Sequence, residues 1–535
     1  MRFRGPLANS YPAAVALVVF ALVPYLALTA AFAPLTPVLV KSLGLSQQAL
    51  QLTSGMANAA YAFGTVLAVQ FAQHLRGRRM LLLYVTLFVI ASVLVALAPT
   101  PGLFIAGHIV QGLCTSLMLI AAVPPLVIGW PVSKLPFTAI TMNICIFGAV
   151  AVGPVIGGVQ AGAGDWRPLF WIVAGMGALA LLFAVLTFED QPPQDRSAPW
   201  DWVAITLAGG GCAAAFFGSA ELKTHSMMSL IVFLPLLAGV GMIVALVVFE
   251  YHVKRPLMPV RSIFTTRPLA GLVVAMGAGA ASVTLIELAQ TALQTKYSPT
   301  HLGMLFWPEF GGAVATAVLF GALLRTRFIP VLAFGGMAVL AGGAAVLSGV
   351  ATGPQAVVLV GSGLVGFGVG ASVSPSLFIA GFSLPSAQIQ RVFALVELLR
   401  GVAAFMIAPV LLHLAVTSAA TPAAGIATAV WVSFGLAAGG GLLATYLFIL
   451  GRARLVRPDL ERWQEGEPAW DSPPVAAGIR GEGVLGAPGE MALERLGLGH
   501  SPEPARENGG EANGPPAHDR LSWGERREER GLGFS

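Results

Sequence analysis

The sequence predicts an all-α polytopic membrane protein with fourteen transmembrane helices. Of its 535 residues, 56% are hydrophobic and 10% are charged, and the mean hydropathy is +0.80. Soluble domains carry about 25% charged residues. The apolar residues are also gathered into long runs, and the basic residues fall mainly on one set of alternate loops. Together these observations exclude a soluble globular domain.

Each spanning helix needs roughly 20 apolar residues, and fourteen runs approach or exceed that length. They lie at about residues 12–39, 50–72, 80–98, 103–128, 138–161, 168–187, 202–219, 228–249, 268–293, 302–324, 328–350, 355–382, 392–417 and 427–450. The first run is longer than a signal-peptide core, so we expect it to be the first span. The seventh run is the weakest, because three consecutive glycines at 209–211 lower its helix propensity.

The loop charges test this count. With the N-terminus inside, the cytoplasmic segments hold 18 Lys and Arg residues, and the outer loops hold four: Lys41, Arg167, Lys223 and Lys296. Cytoplasmic loops of membrane proteins carry an excess of basic residues. The distribution therefore predicts fourteen spans in the cytoplasmic membrane of a cell, with both termini in the cytoplasm.

Polar segments divide the chain into five parts. They are an N-terminal tail at 1–11, a six-helix half at 12–187, a linker with two inserted helices at 188–267, a second six-helix half at 268–450 and a tail at 451–535. Basic loops recur at equivalent positions of the two halves, as QFAQHLRGRRM at 70–80 and GALLRTRFIPV at 321–331. Such a repeat is typical of a duplicated transporter half, although inward-facing loops are basic in any case.

The C-terminal tail changes abruptly to Gly, Pro, Glu and Arg. Such a composition does not bury enough apolar surface to offset its ordering entropy. We therefore predict disorder from about residue 465 to residue 535. The preceding stretch ARLVRPDLERW, at 453–463, is interpreted as a short helix lying on the inner leaflet.

Three acids fall inside the predicted spans, namely Glu287, Glu309 and Glu397. An ionisable group in the membrane costs about 2.5–3.5 kcal/mol on insertion scales and is a functional candidate by default. Glu309 lies eight residues into its span, about 12 Å below the outer surface. Because burial disfavours the ionised carboxyl, Glu309 and Glu287 are candidates for proton exchange. Alternatively, Glu287 reaches the membrane surface or bonds across helices.

Two further polar pairs are candidates for the coupling or substrate path. Glu397 and Arg400 are three residues apart and share a helix face. They form either an intrahelical ion pair that lowers the insertion cost or a partner set that changes between states. His108 and Gln111 lie near the outer third of the fourth span, where a histidine either changes charge near neutral pH or donates one hydrogen bond and stays neutral.

The stretch GAVAVGPVIGG at 148–158 predicts a bent and closely packed fifth span. Proline removes a helix hydrogen bond, and glycines let another backbone approach. The residues concerned are Gly148, Gly153, Pro154, Gly157 and Gly158. Helices that rock against one another are expected to carry such a pattern.

The first half resembles the fourteen-span drug:proton antiporter family of the major facilitator superfamily. The similarity rests on QFAQHLRGRR at 70–79, HIVQG at 108–112, the stretch at 148–158 and DWRPLFWI at 165–172. With the span count, it extends over about residues 12–450. The resemblance implies a major facilitator fold, a cytoplasmic gate at Gly77, Arg78 and Arg79, an antiporter hinge at 148–158 and a role for Arg400 near the inner gate.

The sequence departs from that family at several positions. Gln70 and His74 stand where the gating motif usually has glycine and an acid, and His108 stands where the fourth-span motif has arginine. Leu28 occupies the position of a frequent first-span acid. The acids that handle protons in this chain are therefore expected among Glu287, Glu309 and Glu397.

These features predict a secondary active transporter that exports amphipathic drugs or metabolites in exchange for protons, by alternating access. A facilitator or symporter of a small organic metabolite and a membrane scaffold built on a degenerate transporter are the alternatives.

The sequence has no P-loop, no metal-spaced cluster and no nucleophile with an evident base, so we expect no enzyme, cofactor or metal. The cysteines Cys114, Cys145 and Cys212 are expected to be core residues. The partners are a small molecule, protons and lipid, without nucleic acid, and we expect a monomer.

Overall fold

The structure is a computed structural model that describes residues 5–189 and 192–475. Within those residues, fourteen helices are long and apolar enough to cross a membrane, which confirms the predicted number. We number these spanning helices α1 to α14. They are Tyr11–Leu43, Gln47–His74, Gly77–Leu97, Pro101–Ile128, Val132–Ala163, Arg167–Thr187, Trp202–Glu221, Leu230–His252, Thr266–Leu293, Pro299–Leu323, Ile329–Leu347, Gln355–Phe382, Ser386–Thr417 and Pro422–Leu450.

Local capping fixes where several helices begin. The Ser46 hydroxyl accepts a hydrogen bond from the Ala49 amide at 3.0 Å, and the Asp201 carboxylate accepts one from the Ala204 amide at 2.9 Å. These bonds satisfy amides that have no partner inside the helix. The Asp201 cap begins α7, which is a continuous helix despite its three consecutive glycines.

The helices form two six-helix halves, α1 to α6 and α9 to α14, with α7 and α8 as an inserted pair. We call the end of the bundle where α1 begins and α14 ends the terminal face, and the other end the opposite face. Helix α5 packs against α1 and reaches α10 and α12 of the second half, while α2 packs against α13. Helix α7 packs against both α8 and α2. The α8 helix is peripheral, with exposed Leu230, Leu234 and Leu237.

The inserted pair extends beyond the predicted spans. Both Glu221 and Glu250 lie within helices, at the end of α7 and near the end of α8, and both are buried. The prediction that only three acids fall within spans is therefore wrong. Glu250 is held by the loop that follows α8, because its carboxylate accepts a hydrogen bond from the Met258 amide at 2.9 Å.

The linker after α6 runs along the terminal face. The amide of Gln194 donates to the carbonyl of Ala72 at 3.1 Å, at the end of α2. The side-chain amide of Gln194 also donates to the side chain of Gln390 at 2.6 Å. Since Gln390 belongs to α13, this part of the linker contacts both halves.

The described part of the C-terminal segment packs on the protein, which corrects two predictions. Residues 465–475 were predicted to be disordered, yet Ala469 and Trp470 are buried. The short helix Leu460–Gln464 packs on the protein instead of lying on lipid, and Trp463 is fully buried. The predicted disorder of residues 476–535 falls outside the described residues.

All three cysteines are free and buried. This agrees with the prediction that Cys114, Cys145 and Cys212 are core residues.

Candidate transport cavity

A cavity of about 110 Å³ lies between the two halves. Helices α1, α2 and α5 line one side of it, and α9, α10, α12 and α13 line the other. Its polar lining consists of Tyr25, Thr29, Ser54, Asn58, Tyr61, Ser282, Glu287, Gln290, Glu309 and Arg400. The remaining lining is apolar or aromatic, as in most small-molecule sites. The predicted residues Glu287, Glu309 and Arg400 are thus brought together around one space.

Glu309 is placed by a break in α10. This helix consists of two segments, Pro299–Leu305 and Trp307–Leu323, that meet at Phe306. Pro308 has no amide hydrogen and interrupts the hydrogen-bond ladder there. Glu309 therefore lies in the first turn of the second segment, at the level of the cavity. Its side chain is only 5% exposed.

The Glu309 carboxyl has no compensating partner in the described part of the chain. No described group makes a hydrogen bond with its Oε2 atom, and no salt bridge to it is formed. A buried charge without a partner is costly. The ionised form of Glu309 consequently requires a cation, and the neutral form requires a proton.

Glu287 lies on α9 between two cavities. Besides the central cavity, it lines a smaller one of about 70 Å³ towards the opposite face, next to Ser219 and Ala220 of α7. Lys223 follows α7 in the neighbouring loop. Partial loss of hydration lowers the pKa of the Lys223 amine, and the Glu287 carboxylate opposes that shift. Glu287 is half-buried and so is less secluded from water than Glu309.

Glu397 and Arg400 form a buried ion pair on α13. The Nη2 atom of Arg400 lies 2.6 Å from Oε2 of Glu397, and the two residues are 7% and 2% exposed. Arg400 also lines the cavity, whereas Glu397 stands behind it. The shared helix face is confirmed, and Glu397 compensates the Arg400 charge.

Removing Glu397 is expected to destabilise the protein more than removing the whole pair. Glu397→Ala leaves an uncompensated buried guanidinium, which costs about 3–5 kcal/mol, whereas apolar replacement of both partners is often neutral. Thermal unfolding in detergent, followed by circular dichroism, should therefore give a higher midpoint for Glu397→Met/Arg400→Met than for Glu397→Ala. A double variant whose unfolding midpoint is no higher than that of Glu397→Ala would contradict this interpretation.

His108 and Gln111 lie away from the cavity, in the packed core of the first half. His108 Nδ1 lies 3.1 Å from Oε1 of Gln111, and Gln111 donates to the Ser92 hydroxyl at 2.9 Å. The His108 ring stacks on Phe32, with a centroid distance of 4.9 Å. This arrangement matches the alternative in which the histidine makes one hydrogen bond and packs. Neither residue lines the cavity.

The glycines of the fifth span make close contacts in two directions. A Cβ atom on Gly153 or Gly157 would come within 2.5 Å of α1, at Ala30 and Ala31 respectively. One on Gly158 would lie 2.4 Å from the carbonyl oxygen of Pro299 and 2.9 Å from Gly303 Cα, both in α10. Gly153 and Gly157 therefore pack within the first half, and Gly158 closes the opposite face against the second half.

Two other members of this stretch lie nearer the cavity. Pro154 lines it directly. Gly148 stands beside the Phe310 ring of α10, which a Cβ atom would meet at 3.5 Å. The helix forms a π-helical turn at Ile144–Gly148. Such local irregularities are frequent at functional sites.

The predicted gate residues lie at the terminal face. Gly77 is the first residue of α3 and lines a crevice that also contains Ser386 and Gln390 of the second half. Arg78 donates a hydrogen bond to the carbonyl of Val185 in α6 at 3.2 Å. Arg79 follows on the first turn of α3. The position of these residues beside the junction of the halves is compatible with a gate.

The sequence missed Glu221 and Glu250 because each lies just beyond its apolar run. Glu221 accepts a hydrogen bond from Gln48 at 2.9 Å and lies 3.1 Å from the His225 ring. Pro256, in the loop after α8, was the available signal that this helix continues beyond its apolar run. Neither acid lines the central cavity.

An acid-bearing cavity between two bundles of spanning helices is typical of a membrane transporter. A profile of the Major Facilitator Superfamily matches residues 18–409, and the chain belongs to that superfamily. Its members are transporters and not enzymes. Within the described residues, no cluster of three or more His, Cys, Asp or Glu side chains is suited to a metal ion.

Curated relatives are similar at low identity. The chain is 27% identical over 251 residues to the uncharacterized MFS-type transporter YubD of Bacillus subtilis, covering 45% of this chain and 48% of that protein. It is 27% identical over 327 residues to a multidrug resistance protein B homolog of Mycobacterium tuberculosis, covering 59% of each. It is 26% identical over 285 residues to a probable actinorhodin transporter of Streptomyces coelicolor, covering 50% of this chain and 48% of that protein. These matches span about half to three fifths of the relatives' length.

Solved structures share the fold. A POT family transporter in complex with a thioalcohol-conjugated peptide is similar with a TM-score of 0.60 at 13% identity, over 83% of this chain and 97% of that one. The human organic anion transporter MFSD10 (TETRAN) is similar with a TM-score of 0.57 at 15% identity, over 81% and 99%. At these identities the likeness concerns the fold alone.

Proposed function

We propose that this protein exports amphipathic, positively charged compounds across the cytoplasmic membrane in exchange for protons. The terminal face lies in the cytoplasm, and the cavity opens alternately to the two sides. Both halves of one chain line the cavity, which is compatible with a monomeric transporter.

The observation that carries the proposal is the uncompensated Glu309 carboxyl in the central cavity. A proton and a cationic compound are alternative ways of satisfying this group, so binding of one opposes binding of the other. That competition is the basis of exchange, since a change in affinity for one ligand is matched by an equal change for the other. Glu287 adds a second acid to the same wall, while Glu397 compensates Arg400.

The size of the cavity supports a cycle with large movements. Drug-sized compounds occupy pockets of about 300–1,000 Å³, whereas the cavity holds about 110 Å³. The described state is therefore a closed one, from which the halves must separate to admit a compound. The Gly158 contact with α10 is one of those that must part when the cavity opens to the outside.

Two facts support the orientation and the substrate class. The sequence places 18 basic residues on the terminal side and four on the other, as expected when the terminal side is cytoplasmic. Relatives in Mycobacterium tuberculosis are named multidrug resistance proteins, which favours drugs over nutrients.

Drug resistance of a bacterium that lacks its own efflux pumps tests this proposal. Expression of the chain should raise the inhibitory concentration of cationic amphipathic drugs, and Glu309→Gln should abolish the gain at equal membrane abundance. Unchanged susceptibility together with enhanced uptake of an organic metabolite would instead identify a facilitator or symporter. A cellular effect of the protein that does not require transport, but that is lost when residues 465–535 are removed, would identify a scaffold.

A further inference from the structure

We propose that residues 455–475 form a C-terminal strap that holds the terminal face closed. The strap is fixed to the second half and reaches the first half through Gln464. It differs from the transport site in that none of its residues lines the central cavity.

Two tryptophans anchor the strap to the end of α12. The Trp463 indole donates to the carbonyl of Leu384 at 3.0 Å, and the Trp470 indole donates to the Ser383 hydroxyl at 2.7 Å. Phe382 packs against both rings, with centroid distances of 5.0 and 6.2 Å. Both indoles are buried. Large aromatic side chains with a satisfied polar group contribute strongly to such contacts.

Arg267, at the start of α9, binds the chain just before the strap and again within it. Its guanidinium donates to the carbonyl of Arg454 at 2.7 Å and to that of Asp471 at 3.1 Å. The same group lies over the Trp470 ring, 5.0 Å from its centroid. The amide of Thr266 donates to the Pro473 carbonyl at 3.0 Å. The strap is thus a part of the second half rather than a loose tail.

Gln464 connects the strap to the first half. Its side-chain amide donates to the carbonyl of Trp130 at 2.7 Å, in the loop between α4 and α5. That loop is itself held, because the Trp130 ring packs on Tyr11 at the start of α1, with centroids 5.2 Å apart. The contact therefore joins the second half to a loop of the first half that is packed against α1.

The two attachments differ greatly in strength. Several hydrogen bonds and two buried indoles hold the strap to the second half, whereas Gln464 supplies the described hydrogen bond to the first half. When the halves separate at the terminal face, the strap moves with the second half and the Gln464 to Trp130 contact breaks. A hydrogen bond of ordinary strength changes an equilibrium on the order of fivefold, so this contact biases the protein towards the closed terminal face.

Cysteine labelling at the terminal face tests the strap. A single cysteine is introduced as Ala121→Cys, in the crevice between α4 and α13, after the three native cysteines are replaced by serine. Gln464→Ala should raise the rate of maleimide labelling about fivefold, and Glu465→Ala, an exposed neighbour, should leave it unchanged. Equal rates with glutamine or alanine at position 464 would overturn the proposal.

Truncation and cross-linking separate the strap from the rest of the tail. A chain ended after Val475 retains all the described strap contacts and should label at the rate of the full chain. A truncation that matches Gln464→Ala would overturn the assignment. In a double variant with Gln464→Cys and Pro131→Cys, a short, reducible cross-linker between the two new thiols should stop transport, and reduction should restore it. Full transport in the cross-linked protein would also overturn it.

Discussion

Glu309→Gln is expected to uncouple drug movement from the proton gradient while leaving the protein folded. Glutamine keeps the size of the side chain but carries no charge and exchanges no proton. Coupling between two ligands is typically worth about 1–3 kcal/mol, a factor of roughly 5 to 150 in affinity. The variant should therefore lose gradient-driven uptake of a cationic dye into inverted membrane vesicles by a factor in that range.

A matched control distinguishes this effect from the loss of any buried acid. Glu250 is fully buried but lies on α8, outside the cavity, and its hydrogen bond from Met258 survives replacement by glutamine. Glu250→Gln should therefore keep gradient-driven uptake. Glu287→Gln should reduce it less than Glu309→Gln, because Glu287 is only half-buried whereas Glu309 is buried. Undiminished coupling in both cavity variants would contradict the role given to these acids.

Gly158→Val is expected to abolish transport by preventing closure of the opposite face. The new Cβ atom would lie 2.4 Å from the Pro299 carbonyl oxygen and 2.9 Å from Gly303 Cα, and neither backbone atom yields easily. Overpacking of this kind costs typically 1–3 kcal/mol, which favours the state in which the halves part there. A cysteine introduced as Asn58→Cys in the cavity should then label faster from the opposite face.

Gly175→Val supplies the control for the glycine prediction. Gly175 is also in a helix of the first half, but a Cβ atom there meets nothing within 4 Å. It should leave transport and labelling unchanged. Normal transport by Gly158→Val would show that the contact with Gly303 is not part of the cycle.

The sequence predicted the number of spans because apolar runs determine membrane insertion without reference to distant partners. It predicted Glu309 and Glu287 as candidates for the same reason, since an acid inside a long apolar run is conspicuous. That the two acids share one cavity depends on how α9 and α10 rotate, which only packing decides. The close contacts of Gly158 were expected, but their location across the two halves was not.

Other features were hidden by local composition. Glu250 lies just beyond an apolar run, and its burial depends on the Met258 amide from the following loop. Trp463 and Trp470 occur in a stretch rich in proline and charged residues. Its average composition predicts disorder. Their order comes from Phe382 and Arg267, which are 80 or more positions away in the chain. The sequence left two roles open for His108, proton exchange or a packed residue with one hydrogen bond, and the contacts with Phe32 and Gln111 favour the second.

Exchange of a drug for protons by the purified protein in liposomes tests the central claim most directly. Liposomes with an acidic interior are given a permanently charged fluorescent cation, which no pH gradient concentrates unaided, and protein-free liposomes serve as the control. We predict that the cation accumulates inside while the interior becomes more alkaline, and that reversing the gradient reverses both movements. Movement of the cation in the same direction as the protons, or at a rate independent of the gradient, would contradict exchange.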